Sequence, residues 1–344
     1  MKTVFALQFT ILLFFLYFTI NMSLGDTFQS TRLVGPFLLF SDENLYSTAT
    51  SGNWMVTLYG PIFFILLLPI VLFNDPISIT IAGSILCYLY LFSSIFYLNY
   101  AIFKCWRKGI LFTTFIILSF LFLPPLDSLI VNVILADNIS ISLILFACGL
   151  YIKYIQTDSE IFLIGCLVLV CLAFWTKQNT ALSFIVFCLT TTKNTKLCLR
   201  LVFLYGLIFI LISSLLLLSF GLEEVWLNLF RIPLSQPVRT DNGIYIYDRF
   251  EMFTAYKFWF FQLVKNYWFI FISTVIILYF SWRNRKLNLY FDKEIKLLIY
   301  LSICSLPLAV LGRAKVGGLE NTLSLWVLPW LISFFIFFYA KFRS

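Results

Sequence analysis

The sequence predicts an all-α integral membrane protein, and its composition, its charge distribution and its long apolar runs all indicate that class. Of its 344 residues, 61% are hydrophobic and only 12% are charged, whereas a soluble domain carries about 25% charged residues. A water-soluble fold of this length could not bury so much apolar surface. The net charge of +8 does not lie in a basic run of a soluble segment. We therefore attribute it to membrane orientation and expect no nucleic-acid partner.

Apolar runs along the chain predict about ten transmembrane helices, with both chain ends cytoplasmic. The first run could instead be a signal peptide ending near Ser23-Leu24-Gly25, although its length favours an uncleaved helix. Two short runs, 161–175 and 179–192, could form a re-entrant pair. We expect a single polytopic domain over 1–344, with these runs as its helices: 4–24, 77–103, 109–124, 139–155, 161–175, 179–192, 199–220, 264–281, 297–311 and 323–340.

The apolar segment 59–73 decides the topology, because every later loop changes side if it crosses the membrane. Its 15 residues would reach about 22 Å as a helix, short of the roughly 30 Å hydrocarbon core. If it does not cross, 15 of the 24 basic residues lie on the cytoplasmic side and 12 of the 16 acids lie outside, as the positive-inside rule requires. We therefore expect a juxtamembrane helix within a first outer loop at 26–76, and a second long outer loop at 221–263.

Cysteine and histidine usage limits the chemistry. All eight cysteines lie in or beside apolar runs, and the chain has no histidine. We expect no disulfide framework, no cofactor and no metal site. Acid–base chemistry would then depend on carboxylates, lysine or tyrosine.

Two groups of acids lie in the predicted outer loops. Asp42 and Glu43 are adjacent in the first loop, where a carboxylate could accept a proton from an attacking hydroxyl; the alternative is a solvated acid pair. Asp127 and Asp137 flank another outer loop. Asp137 opens a predicted helix, so it could belong to a site or act only as an N-cap at the positive end of the helix dipole.

Three of the cations on the predicted outer side are candidate phosphate ligands. Lys177 lies between the two short apolar runs, where it could extend to the interface or bind a lipid phosphate. Arg313 and Lys315 lie in a turn that contains Gly317-Gly318. Cations beside exposed backbone N–H groups suit an anion such as phosphate, although an ordinary basic turn is the alternative.

In their order, these motifs resemble those of the GT-C superfamily of polyprenyl-phosphate-sugar-dependent glycosyltransferases, especially its protein mannosyltransferase and aminoarabinose transferase members. The matching segments are Asp42-Glu43-Asn44-Leu45-Tyr46, a juxtamembrane helix from Tyr59-Gly60-Pro61, Asp137 or Asp127, Thr176-Lys177-Gln178, and Lys315 to Asn321. The sequence departs from the family where no Arg precedes Asp137 or Asp127, and where Thr322 follows Asn321.

The resemblance implies transfer of a sugar from a polyprenyl-phosphate donor to a glycan, lipid or protein acceptor, with inversion; a departing monophosphate held by cations need not use a divalent ion. Asp42 would be the general base, with Glu43 or Asp137 orienting the acceptor or polarising the base. Lys177, Arg313 and Lys315 would hold the departing phosphate. The remaining substrate-binding candidates are Tyr46, Tyr59, Asp127, Gln178 and Asn321. The protein would lie in a bacterial inner or plasma membrane, in contact with membrane lipids, with its active site on the outer face.

A membrane transporter or flippase of lipid-linked or small solutes is the main alternative. Transporters place ionisable residues inside their spans and often contain inverted repeats. Here the spans are nearly free of charge and no repeat is evident. A noncatalytic scaffold, or a polysaccharide polymerase or ligase, also remains open.

Overall fold

The computed structural model shows an almost entirely helical chain, which confirms the all-α class. It describes residues 6–7, 10–11, 13–14, 17, 32–46, 57–120, 122–123, 126, 129, 134–191, 194–239, 245–246, 249–283, 292–315 and 320–343. Asp127, Gly317, Gly318 and most of the first apolar run lie outside these residues.

Two helices of the first half begin with a proline. Pro61 and Pro76 each occupy the first turn of a helix, where a missing N–H costs nothing. The helices of this half are α1 (Val34–Phe40), α2 (Pro61–Leu67, continued by a 3₁₀ turn, Leu68–Leu72), α3 (Pro76–Phe103), α4 (Trp106–Ser119), α5 (Ala136–Thr157) and α6 (Glu160–Thr176, followed by a 3₁₀ turn, Gln178–Thr180).

The second half contains the remaining helices and one short antiparallel ladder. The range 221–263, assigned to a loop by its hydropathy, contains several helical segments. In chain order the elements are α7 (Ser183–Thr190), α8 (Thr195–Phe220), α9 (Leu222–Trp226), a π-helical segment (Leu227–Arg231), α10 (Ile232–Ser235), β1 (Val238–Arg239), β2 (Tyr245–Ile246), α11 (Arg249–Asn266), α12 (Trp268–Arg283), α13 (Asp292–Ala314), a 3₁₀ turn (Glu320–Leu323) and α14 (Ser324–Arg343).

Five helices of the described chain are long and apolar enough to cross a membrane: α3, α5, α8, α13 and α14. A sixth crossing results if α11 and α12, which are bent by 75° at a short break, count as one broken span. The helices α2, α6 and α7 are apolar but shorter. The number of such helices is consistent with a multi-pass membrane protein.

Contacts group the chain into two compact units, and the first comprises residues 1–122, 127–178 and 203–235. Helix α5 packs against both α3 and α6, and its buried residues lie on all of its sides, as expected of a central helix. A Cβ on Gly149 of α5 would lie 2.7 Å from the ring of Tyr97 on α3. Glycine therefore allows these two helices to approach closely.

The second unit comprises residues 123–126, 179–202 and 236–344, with α13 packed against α7, α11 and α14. Side-chain hydroxyls of α13 bond to the backbone of α14. Ser302 Oγ donates to the carbonyl of Trp326 at 2.8 Å. Pro329 has no N–H to offer the carbonyl of Leu325, and Ser305 Oγ lies 3.0 Å from that oxygen. The proline is therefore accommodated by a neighbouring helix.

Candidate functional site

In the described parts of the first loop, α1 and α2 pack together as one layer. Gly35 of α1 lies against the ring of Phe64 on α2, where a Cβ would collide with the ring. Phe63, Leu67 and Ile70 are fully buried on one face of the α2 segment. The opposite face is apolar but exposed. The segment Pro61–Leu72 would reach only about 20 Å, too short for the hydrocarbon core of about 30 Å.

Gly60 connects this layer to the end of α6 through a hydrogen bond and a close backbone contact. Its N–H donates to the carbonyl of Thr176 at 3.0 Å. A Cβ at Gly60 would collide with the carbonyl of Trp175. Trp175 is itself held by a hydrogen bond from its Nε1 to Ser213 Oγ on α8, at 3.0 Å. The Tyr59-Gly60-Pro61 and Thr176-Lys177-Gln178 motifs are therefore in direct backbone contact.

Tyr46 connects the acidic motif to the same place. Its hydroxyl donates to the carbonyl of Tyr59 at 2.8 Å, and its ring lies edge-on to Phe220, with 6.0 Å between centroids. Burial raises the pKa of Tyr46 well above its usual value. The phenol therefore stays neutral and keeps the proton that it donates.

Lys177 and Asp137 form an ion pair between two motifs that are 40 residues apart in sequence, with Nζ 2.5 Å from Oδ2. The Asp137 side chain is 1% exposed and that of Lys177 is 20% exposed. Asp137 lies in the first turn of α5 but makes no N-cap, because Leu135 is the capping residue and no side chain caps that end. Lys177 follows directly on the last residue of α6. Each charge therefore lies at the helix end that favours it.

Asp42 and Glu43 are exposed just beyond α1. Asp42 has a φ of 55°, the left-handed conformation that aspartate tolerates better than most residues. The N–H of Glu43 donates to the carbonyl of Leu38 at 2.9 Å, which closes the end of the helix. Non-glycine residues in this conformation occur often at functional sites.

Three further predicted residues belong to the second unit. Arg313 lies over the ring of Trp259, 4.9 Å from its centroid. Lys315 forms an isolated antiparallel bridge with Val238, and burial lowers the pKa of its ammonium group. Asn321 is 5% exposed and lies in the 3₁₀ turn before α14.

The sequence pattern did not identify two residues of the first unit that bond to segments close to Asp137 and Tyr59 in sequence. Arg32 reaches across from the first loop, and its Nη1 donates to the carbonyl of Ile134 at 3.3 Å. Asn228 in the π-helical segment is buried, and its Oδ1 accepts from the N–H of Thr57 at 3.4 Å. Neither residue lies in a recognisable motif. Arg32 follows a polar stretch, and Asn228 lies in a region that hydropathy assigns to a loop.

The first unit thus contains two direct contacts, Tyr46 with Tyr59 and Asp137 with Lys177. The backbone bond from Gly60 to Thr176 links them, and Gln178 follows Lys177 in the 3₁₀ turn. Asp42 and Glu43 belong to the same unit, while Arg313, Lys315 and Asn321 belong to the second. Among the described residues, no group of three or more Cys, Asp or Glu side chains could hold a metal ion. No protein-family model matches this chain, and no curated protein or solved structure matches it.

Proposed function

We propose that this protein is a membrane glycosyltransferase that moves a sugar from a polyprenyl-phosphate donor to an acceptor on the non-cytoplasmic face. The observation that carries the proposal is the contact network of the first unit. Three of the motifs that suggested this class, around Tyr46, Tyr59 and Lys177, are joined by hydrogen bonds, and the Lys177–Asp137 ion pair adds a fourth. These bonds bring together motifs that are far apart in sequence and that the resemblance assigns to one site.

The exposed carboxylate of Asp42 would act as the general base on the acceptor hydroxyl. Direct attack by that hydroxyl on the anomeric carbon forms the new glycosidic bond and breaks the bond to the phosphate oxygen, which inverts the configuration. Cationic side chains would stabilise the charge that develops on the departing phosphate. Glu43 would orient the acceptor beside the base.

The proposal includes ten membrane helices, with the α2 segment lying along the outer interface. The short length of the segment and its single buried face support this topology. Cysteines placed singly at Ser41 and Asn74, both exposed, test it in a variant from which the eight native cysteines have been removed. Labelling of both positions by an impermeant maleimide from the same side is expected. Labelling from opposite sides would show that the segment crosses.

A transfer assay with labelled polyprenyl-phosphate sugars in membranes tests the reaction itself. Asp42→Asn should reduce transfer by about 100-fold or more, the usual contribution of a general base. Asp158→Asn is the matched control, because Asp158 is also an exposed aspartate with a left-handed φ, of 54°, just beyond a helix. Normal transfer by the Asp42 variant would contradict the assignment of the base.

A transporter or flippase is the second candidate, and the break between α11 and α12 favours it. Transporters bind solutes at broken helices near the middle of the membrane, and these two helices are bent by 75°. A transporter would move a lipid-linked sugar across the vesicle membrane without forming a new glycosidic bond. Detection of a glycosylated product in the same assay therefore separates the two candidates.

A further inference from the structure

A second cation, Arg32, reaches the beginning of α5 beside the Asp137–Lys177 pair. Its guanidinium is partly buried and donates to the carbonyl of Ile134. Ile134 precedes Asp137 by three residues, so the backbone between the two contacts is at most about 10 Å long. Arg32 and Lys177 therefore approach the same short stretch of chain from two different elements.

The two cations differ in how their charges are compensated. Lys177 lies against the carboxylate of Asp137, whereas Arg32 lies against a neutral carbonyl. A carbonyl engages one of the five N–H groups of a guanidinium and does not cancel its charge. Within the part of the chain that the structure describes, this carbonyl is the hydrogen-bond partner of Arg32. Among the described residues, no carboxylate contacts Arg32, whereas one contacts Lys177.

The electrostatic environment for a bound anion differs between Lys177 and Arg32. At Lys177 the anion would approach an ammonium group whose charge the Asp137 carboxylate already compensates, and that carboxylate would repel it. Arg32 contacts a neutral carbonyl instead, so its described contact does not repel an anion. Its planar guanidinium also offers parallel N–H groups that match two oxygens of one phosphate.

We propose that Arg32 contacts the phosphate of an isoprenoid-phosphate ligand, and that Lys177 remains paired with Asp137 when this ligand binds. The isoprenoid part rests on the proposed function, while the choice of Arg32 over Lys177 rests on the contacts of the first unit. Lys177 is then a positioning residue that holds the ends of α5 and α6 together.

The alternative is that Arg32 merely ties the first loop to the beginning of α5. Arg32→Gln separates the two roles, because an amide can still donate to the carbonyl of Ile134 but carries no charge. Arg231→Gln is the control, since Arg231 is an exposed arginine of the same unit. The full chain in phosphatidylcholine nanodiscs is titrated with geranylgeranyl phosphate, geranylgeraniol and inorganic phosphate, and binding and thermal stability are measured.

We expect Arg32→Gln to weaken binding of geranylgeranyl phosphate by about tenfold or more, with Arg231→Gln unchanged and geranylgeraniol insensitive to either change. Unaltered affinity in Arg32→Gln, an equal loss in Arg231→Gln, or no binding by the wild type would overturn the proposal. Inorganic phosphate binding as tightly as the lipid would overturn its isoprenoid part. If Arg32→Gln does not fold, Arg32→Lys keeps the charge without the fork, and unaltered affinity there would also contradict the proposal.

The binding titration and the transfer assay can give independent results. If the wild type binds the lipid phosphate through Arg32 but transfers no sugar, the proposed function fails and the phosphate site stands. If transfer depends on Asp42 while Arg32→Gln binds normally, the function stands and the role of Arg32 is wrong.

Discussion

Gly60 lies so close to the carbonyl of Trp175 that a side chain of any size at this position would collide with it. The φ of Gly60 is −69°, which other residues adopt without strain, so the restriction is one of space. Gly60→Ala should therefore separate the first loop from the end of α6. We expect a destabilisation of about 1–3 kcal/mol, as for other overpacked sites, and a large loss of transfer activity.

The control for Gly60→Ala is Gly206→Ala in α8, where a Cβ would meet nothing within 4 Å. Alanine in a helix interior is favoured over glycine by about 0.5–1 kcal/mol. The control should therefore be neutral or stabilising in thermal unfolding in micelles. Equal behaviour of the two variants would show that the contact between Gly60 and Trp175 is unimportant.

The Lys177–Asp137 pair should respond unequally to the loss of each partner. Lys177→Met leaves a carboxylate that is 1% exposed without its cation, whereas Asp137→Asn leaves a lysine that is 20% exposed and can reach solvent. We expect Lys177→Met to cost about 3 kcal/mol or more, in the range for broken buried pairs, and Asp137→Asn to cost less. Thermal unfolding of both variants and of the double variant measures this order, and the double variant should recover part of the loss.

Tyr46→Phe removes one hydroxyl and keeps the ring that contacts Phe220. The carbonyl of Tyr59 then loses its hydrogen bond, which should cost about 1–3 kcal/mol for a buried acceptor. Transfer activity should fall, because Tyr46 joins the acidic motif to Tyr59. Tyr300→Phe is the matched control, since the described chain shows no hydrogen bond from the Tyr300 hydroxyl. A similar loss in both variants would remove Tyr46 from the site.

The carboxylate of Asp75 should give the beginning of α3 a pH dependence. The Ser78 side chain and the Ser78 backbone N–H lower the pKa of Asp75, and Oδ1 accepts from that N–H at 2.8 Å. A depressed pKa means that the stabilisation is fully present above the unfolded pKa and is lost as the pH falls through the lower folded pKa. Wild type should exceed Asp75→Asn in thermal stability at pH 6, and the difference should shrink as the pH is lowered through the folded pKa. A difference that grows on acidification would refute the assignment.

The individual elements follow closely from local sequence. The apolar run at 77–103 predicts α3, which the structure places at Pro76–Phe103. The segment predicted as a short helix at 59–73 is helical over Pro61–Leu72. Here apolar length and proline chemistry are sufficient, because both act over a few residues.

The pairing of distant residues does not follow in the same way. The sequence alone is compatible with Asp137 as an N-cap or a site residue, and with Lys177 as an interfacial lysine or a phosphate ligand. The ion pair between them depends on how α5 and α6 pack. The sequence does not predict α11 as a helix, for another reason. Its lysines and glutamate interrupt its aromatic residues, so its hydropathy resembles that of a loop.

The hydrogen bond between Gly60 and Thr176 also constrains biosynthesis. A membrane protein inserted from its amino terminus exposes its first loop long before α6 has been translated. The loop cannot acquire its final docking partner until Thr176 has left the ribosome. Until then, the apolar α2 segment must be accommodated by lipid or by the insertion machinery. Truncated chains that end before Thr176 should therefore leave the first loop open to protease, and chains that extend beyond α6 should protect it.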